Sequence, residues 1–237
     1  MRAAKELLHA LNDLHKGGFV HRDLTGRNIL WGLTENARCN ADIVATDLGL
    51  PKVLERTATE KPYHLVAPVD FPPHLISESI QICDFGMIVR ADEAADIKGF
   101  TPQEHRAPEL DHRFSASAAS DVWSFTCVFS KLYMGIVSFQ GYPSYTVEVL
   151  GPFPQEWHSQ YTAGKSDDSW YNPDTLPKDY LSLLARIKKR NKDADGGEQE
   201  RVSKFMHRAS TYEPDCRPTA AELLSDPLID DLIKRYT

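Results

Sequence analysis

The chain is poor in cysteine. Its four cysteines, Cys39, Cys83, Cys127 and Cys216, show no C-x-x-C spacing. That weighs against zinc and dithiol motifs and favours a reduced, intracellular setting, cytoplasmic or nuclear. Long apolar runs are missing too: no stretch approaches the roughly 18 residues that a membrane-spanning helix needs, so no membrane role is expected. The opening stretch MRAAKELLHALNDLH is too charged for a secretory signal. Basic charge is in deficit, with Lys+Arg 27 against Asp+Glu 34 and a net charge of -7. That argues against a nucleic-acid partner and for a basic protein partner. No internal repeat is visible. What is there is ordinary: 41% hydrophobic and 26% charged residues in 237, enough for one large domain or two small ones.

Ala4, Leu7, Leu8, Leu11 and Leu14 recur with a helical period over residues 2–15, and Gly17-Gly18 ends that helix. FVHRD leads into a polar loop, and NILWGL reads as a short strand. Residues 33–78 are punctuated by Pro51, Pro62, Pro68, Pro72 and Pro73 and show no clear period. They read as an irregular insertion, peripheral to the core. SIQICDFG alternates like a strand and ends in a turn. SDVWSFTCVFSKLYM (120–134) is the most apolar segment and reads as a buried helix with Asp121 near its start. YTVEVLG, KDYLSLLARIKKR, GEQERVSKFMHRAS and PTAAELLSD are further helix candidates. The second of these places Tyr180, Leu183, Leu184 and Ile187 on one face. The fold class is therefore mainly α, with a few short strands.

The segment HRDLTGRNIL (His21–Leu30) puts His, Arg, Asp and Asn into a short loop between helix and strand. Ordering such a loop costs conformational entropy unless the groups act. Singly, Asp23 is also a common turn residue, Asn28 a common cap and D-F-G a common turn tripeptide. Together they stand in a fixed order. His21-Arg22-Asp23-Leu24 has Asn28 five residues after Asp23. Asp84-Phe85-Gly86 follows the strand-like IQIC. Ala107-Pro108-Glu109 closes a segment in which Glu109 lies 25 residues after Asp84. SDVWSF and YEPDCRPTAAELLSDP come after it. This series resembles the eukaryotic protein kinase family, and the resemblance covers essentially the whole chain.

The resemblance implies a kinase-like C-terminal lobe whose short strands carry the catalytic and D-F-G loops. It also implies ATP-dependent phosphorylation of Ser/Thr in a protein substrate. Asp23 would accept the proton of the substrate hydroxyl, with Arg22 and Arg27 beside it. Asn28 and Asp84 would hold Mg²⁺, a hard cation that takes oxygen ligands. Leu30 would supply the lower apolar contact to ATP. His21 and Phe85 match the lower members of a stacked apolar column, and Gly86 completes the D-F-G turn. Asp121 matches the residue that holds the catalytic-loop backbone, and Glu109 and Arg217 match a buried ion pair. A rival triplet, Asp47-Leu48-Gly49, lies 19 residues after Asn28. It stands too far before Ala107, with Pro51 close behind, so Asp84 is preferred.

Arg106 in HRAPE, together with VEVLGPFPQEW, is similar to the group holding cyclin-dependent, MAP and SR-protein kinases. The proline-rich LVAPVDFPPHLISESIQICDFG is similar to fungal SR-protein-kinase-like sequences. An Arg/Ser-rich, basic substrate would follow. Some features depart from the family. Thr25 stands where Ser/Thr kinases carry Lys, and Arg27 stands where receptor tyrosine kinases carry a compensating Arg, either reaching phosphate or solvated. Thr126 replaces a usual Gly. Thr101 is the only hydroxyl residue between Gly86 and Ala107. Asp92, Glu93 and Asp96 there either meet Arg22 in place of a phosphate or face water. KKRNK (188–192) is either a nuclear signal or a solvated helix end. No Gly-rich loop and no V-A-I-K-like strand precede His21. The expectation is a C-lobe over residues 1–237, weak ATP binding and little activity for the chain alone, and a partner covering the surface beside His21, Leu30 and Phe85. The alternatives are an inactive interaction module or a truncated gene model.

Overall fold

The computed structural model describes residues 1–56, 63–93, 101–112, 114–139, 143–157, 174 and 177–236. In chain order the elements are α1 (Arg2–Lys16), β1 (Phe19–Val20), β2 (Ile29–Leu33), α2 (Glu35–Cys39), α3 (Ala41–Leu48), β3 (Val53–Arg56), β4 (Tyr63–Val66), β5 (Ile76–Ile82), β6 (Val89–Arg90), α4 (Ala118–Met134), α5 (Pro143–Leu150), α6 (Leu183–Arg190), α7 (Gly196–Ala209), α8 (Ala220–Leu224) and α9 (Pro227–Arg235), with short 3-10 turns between several of them. They fall into two units, Met1–Ile29 with Ile82–Thr237, and Leu30–Gln81.

In the first unit, α1 buries Ala4, Leu7, Leu8 and Leu11, the stripe its sequence period predicts, and Leu14 is half-buried. The helix stops at Gly17, whose N–H bonds Asp13 O, and Gly18 then takes φ +79°. A side chain at Gly18 would be strained in that left-handed conformation. α1 packs on α4, α8 and α9, and α7 packs on α4 and α6. α4 is the centre of the core, burying Val122, Trp123, Phe125, Cys127 and Phe129. It is apolar nearly all round, as a helix enclosed by others must be. Trp123 stacks on Phe139 with ring centroids 4.4 Å apart. Burial pushes the Cys127 thiol well above its ordinary value. β1 and β6 pair antiparallel, Phe19 opposite Arg90 and Val20 opposite Val89.

Two expectations for this unit are corrected. Tyr180 does not share the buried face of α6 but is 71% exposed. Ser182 accepts from Ala185 N–H at 3.2 Å and starts the helix at Leu183, so Tyr180 lies in the preceding 3-10 turn. Leu183 and Ile187 do face the core, and Lys188, Lys189 and Arg190 are exposed at the helix end. Sequence reading also omits α9, whose Leu228, Ile229 and Leu232 are buried. Proline at its first position and Asp226, which accepts from Leu228 N–H at 3.0 Å, start it. At α8, Thr219 and Glu222 form a reciprocal capping box. Thr219→Ala is expected to lower unfolding free energy by about 1 kcal/mol in urea titration; an unchanged midpoint would show that the box contributes nothing.

The second unit corrects the reading of residues 33–78 as irregular. α2 and α3 lie there, capped by Thr34 and Asn40. β3 and β4 form an antiparallel hairpin from Val53 opposite Val66 to Arg56 opposite Tyr63. β2 pairs with β5. The described prolines sit outside the strands: Pro51 before β3, Pro68 after β4, Pro72 and Pro73 before β5. That is where strand chemistry tolerates them. No element here exceeds the eight residues of α3, so none is long enough to show a period. At Gly32, an added Cβ would lie 2.5 Å from Ser79 Oγ and 2.7 Å from Ser77 Oγ.

Candidate active site

The loop after β1 is held by α4. Asp121, 1% exposed in the first turn of α4, accepts from His21 N–H through Oδ2 at 2.8 Å and from Arg22 N–H through Oδ1 at 2.9 Å. His15 Nε2 of α1 lies 3.0 Å from the same Oδ2. A buried carboxylate is thus satisfied from three sides, two of them backbone. The clamp lets Arg22 hold φ +70°, an uncommon value for a residue with a side chain. The other such residue among those described is Asp84, at φ +64°. Both belong to the motifs singled out above, and strained backbone gathers at functional sites. His21 Nδ1 accepts from Asp23 N–H at 3.3 Å and Nε2 donates to Cys83 O at 3.2 Å. Its ring lies 5.3 Å from that of Phe85, which is 47% exposed.

Asp23 and Asn28 are directly joined. Asn28 Nδ2 donates to Asp23 O at 2.8 Å and to Asp23 Oδ2 at 3.0 Å. The 3-10 turn Gly26–Asn28 brings Asn28 back to Asp23, and Thr25 Oγ1 caps it by accepting from Arg27 N–H at 3.3 Å. Asp23 Oδ1 stays buried without a hydrogen bond. Cys83 N–H donates to Asn28 O at 2.9 Å, which sets the residue before Asp84 against Asn28. Asp84 is exposed and begins the turn Phe85–Met87. Asp23, Asn28 and Asp84 carry carboxylate and amide oxygens, the ligand type that a hard divalent cation takes. Asp47 is placed differently: it lies in α3 of the other unit and its Oδ2 is 2.7 Å from His74 Nε2. Leu30 also belongs to that unit and is 52% exposed.

Beyond the D-F-G turn, Arg22 Nη1 donates to Met87 O at 3.5 Å, while Asp92 pairs with Arg90 at 3.1 Å near the surface. Asp96 lies outside the described residues. Thr101 is buried and its hydroxyl donates to Arg22 O. Arg106 donates to Thr101 O through Nε at 3.1 Å and Nη2 at 2.8 Å, and pairs with Asp111 at 3.2 Å. Burial drives the Asp111 carboxyl above its usual range, and Arg106 partly offsets this. Glu109 and Arg217 are completely buried and bonded twice, Nη1 to Oε1 at 2.8 Å and Nη2 to Oε2 at 3.0 Å. Arg217 also donates to Ala119 O, Thr211 O and Tyr212 O and lies 5.3 Å above the Trp123 ring.

Residues 1–150 match the family model for protein tyrosine and serine/threonine kinases. The chain belongs to this protein kinase family. Among curated relatives, the "Probable serine/threonine-protein kinase clkA" of Dictyostelium discoideum is 24% identical over 98% of this chain and 24% of its own length. Serine/threonine-protein kinase ppk21 of Schizosaccharomyces pombe is 27% identical over 58% of this chain and 19% of its own length. Mitogen-activated protein kinase HOG1A of Wallemia ichthyophaga is 25% identical over 94% and 48% respectively. The chain thus spans less than half of each of these relatives. A crystal structure of a kinase domain shares the fold, with TM-score 0.56, 21% identity, and coverage of 95% of this chain and 65% of that one.

Two departures of this kinase-family chain from the usual motifs have local explanations. Thr126 Oγ1 donates to Val122 O at 3.0 Å within α4 and lies 3.4 Å from Ala209 O at the end of α7. A hydroxyl thus finds acceptors where the usual Gly offers no side chain. Thr25 acts as the loop's cap, and Arg27 is exposed. Sequence reading missed the buried His105, which is 4% exposed. Its only signal was an imidazole directly before Arg106.

Proposed function

We propose that this chain carries the catalytic loop of a protein kinase that transfers the γ-phosphoryl group of Mg-ATP to Ser/Thr hydroxyls of a protein. The observation that carries the reading is the division of the Asp23 carboxylate. Oδ2 is tied to Asn28 while Oδ1, buried and unbonded, is left to accept a proton. Asn28 and Asp84 are the residues that would hold Mg²⁺. The metal supplies charge neutralisation on the phosphate oxygens. The chain's own residues do the rest. Asp121 fixes the loop backbone, Asn28 orients Asp23, and Asp23 Oδ1 takes the proton as the hydroxyl oxygen attacks. Phe85 of the D-F-G turn sets its ring beside that of His21.

The grip of Arg106 on Thr101 O, together with HRAPE, supports the group that includes MAP and SR-protein kinases. The net charge of -7 suits a basic, Arg/Ser-rich substrate by long-range attraction. The test is radiolabel transfer from ATP to an Arg/Ser-rich peptide and to an acidic Ser/Thr peptide. Weak, Mg²⁺-dependent labelling of the basic peptide, slow as expected for this chain alone and lost in Asp23→Asn, supports the reading, and labelling of neither contradicts it. A second reading, a kinase-like module that binds a partner, draws on the exposed Leu30 and Trp31, 52% and 56% accessible.

A further inference from the structure

In the first unit, α7 and the start of α9 bound a groove of about 380 Å³, a size within the range that ligand sites use. Its lining is Arg201, Lys204, Phe205 and Arg208 of α7 with Asp226, Pro227 and Leu228 at the start of α9. None of these residues belongs to the catalytic motifs. Phe205 and Leu228 are each 3% exposed and form the floor, while Pro227 is exposed. The aliphatic stems of the three cations add apolar surface above that floor.

Arg201, Lys204 and Arg208 stand three and four residues apart, so they share one face of α7 over about 10 Å. Two of them are matched within the fold. Arg201 Nη1 lies 2.7 Å from Asp231 Oδ2, and Arg208 Nη2 lies 2.6 Å from Asp226 Oδ2. These ion pairs tie α7 to α9 on either side of Lys204 in the sequence. Lys204 itself is exposed and has no partner among the described residues. The one carboxylate in the lining, Asp226, is already engaged by Arg208 and by Leu228 N–H, the latter at 3.0 Å. The groove therefore carries one unmatched positive charge over an apolar floor, on a chain whose net charge is -7.

We propose that this groove docks an extended acidic peptide of a partner protein. An apolar side chain of the peptide lies on Pro227 between the cation stems, and a neighbouring carboxylate meets Lys204. Further carboxylates reach Arg201 and Arg208, whose side chains are each 52% exposed. Each guanidinium has five N–H donors, and each gives one of them to its aspartate. A single-headed amphiphile such as a fatty acid suits the groove less well. Sites for small ligands enclose most of the ligand's surface, whereas Arg201, Lys204, Arg208 and Pro227 are all exposed here. An alkyl chain would stay largely in water. A basic, Arg/Ser-rich substrate carries the wrong sign for Lys204, so the site serves a partner other than that substrate.

The test is mapping of backbone amide shifts by NMR in the full chain. The probe is a peptide with a single tryptophan flanked on each side by a pair of glutamates. Shifts are expected to centre on residues 201–208 and 226–228. Lys204→Glu, at an exposed position, should weaken binding about tenfold, because attraction becomes repulsion. Lys204→Gln, which only removes the charge, should weaken it about threefold. Replacing the peptide's tryptophan by alanine should weaken it about fivefold or more. Binding should also weaken between about 50 mM and about 300 mM salt, since the charges lie at the surface. Shifts that centre elsewhere, an affinity unchanged in Lys204→Glu, or no saturable shift up to about 1 mM peptide would overturn the proposal. Equal affinity for the tryptophan and alanine peptides also overturns it. So does dodecanoate shifting the groove residues while the peptide leaves them in place, which would assign the groove to an amphiphile instead.

Discussion

Arg217→Met is expected to lower the free energy of unfolding by about 3–5 kcal/mol, because it leaves the Glu109 carboxylate buried without its cation. Both side chains are wholly inaccessible and make paired bonds at 2.8 and 3.0 Å. Glu109 would have no water to turn to. The same change removes the donor that serves the carbonyls of Ala119, Thr211 and Tyr212. Methionine keeps much of the bulk of the arginine stem, so the loss reports charge and hydrogen bonding more than volume. Adding Glu109→Gln to Arg217→Met should recover part of the loss, since a neutral amide costs less to bury. Chemical denaturation of the three proteins is the measurement. A loss below about 1 kcal/mol for Arg217→Met would show that the pair contributes little.

Asp23→Asn is expected to cut phosphoryl transfer by about 10²–10⁴-fold, the usual contribution of a positioned general base. The amide is close to isosteric, and its oxygen can still accept from Asn28 Nδ2, so the loop should keep its form. The loss should fall on kcat with little change in KM for ATP, because the proton moves only in the transition state. Asp47→Asn is the control. Asp47 bonds His74 in the other unit, and its removal should leave the rate within about twofold. A transfer rate for Asp23→Asn equal to the parent's would remove Asp23 from the chemistry.

How far the sequence revealed the fold depended on element length and packing. α1 and α4 were legible because 15 and 17 residues hold enough turns for a period or a continuous apolar run to stand out. α2, α3 and the β3–β4 hairpin were not. Each is a few residues long and set by caps such as Thr34 and Asn40 or by cross-strand pairing, which a local pattern does not display. The prolines were read as disrupting the segment, whereas the described ones mark the edges of its strands. Tyr180 was misplaced because Ser182, a polar residue inside an apolar run, caps the helix, which starts at Leu183, three residues after Tyr180. In the site, the ordered motifs led directly to Asp23, Asn28, Asp84, Asp121, Glu109 and Arg217. His105 was hidden because its interest lies in burial and in unpartnered nitrogens, properties created by distant chain segments.

In the phosphoryl-transfer site we propose, Asn28 and Asp84 would hold the metal and Asp23 would take the proton. The most direct measurement is paramagnetic broadening of backbone amide signals by Mn²⁺, standing in for Mg²⁺, in the presence of ATP. Broadening is expected to centre on Asn28 and Asp84, to extend to Asp23, and to be lost in Asp84→Ala while Asp47→Ala leaves it unchanged. Broadening that centres on Asp47 and His74, or that survives Asp84→Ala, would contradict it.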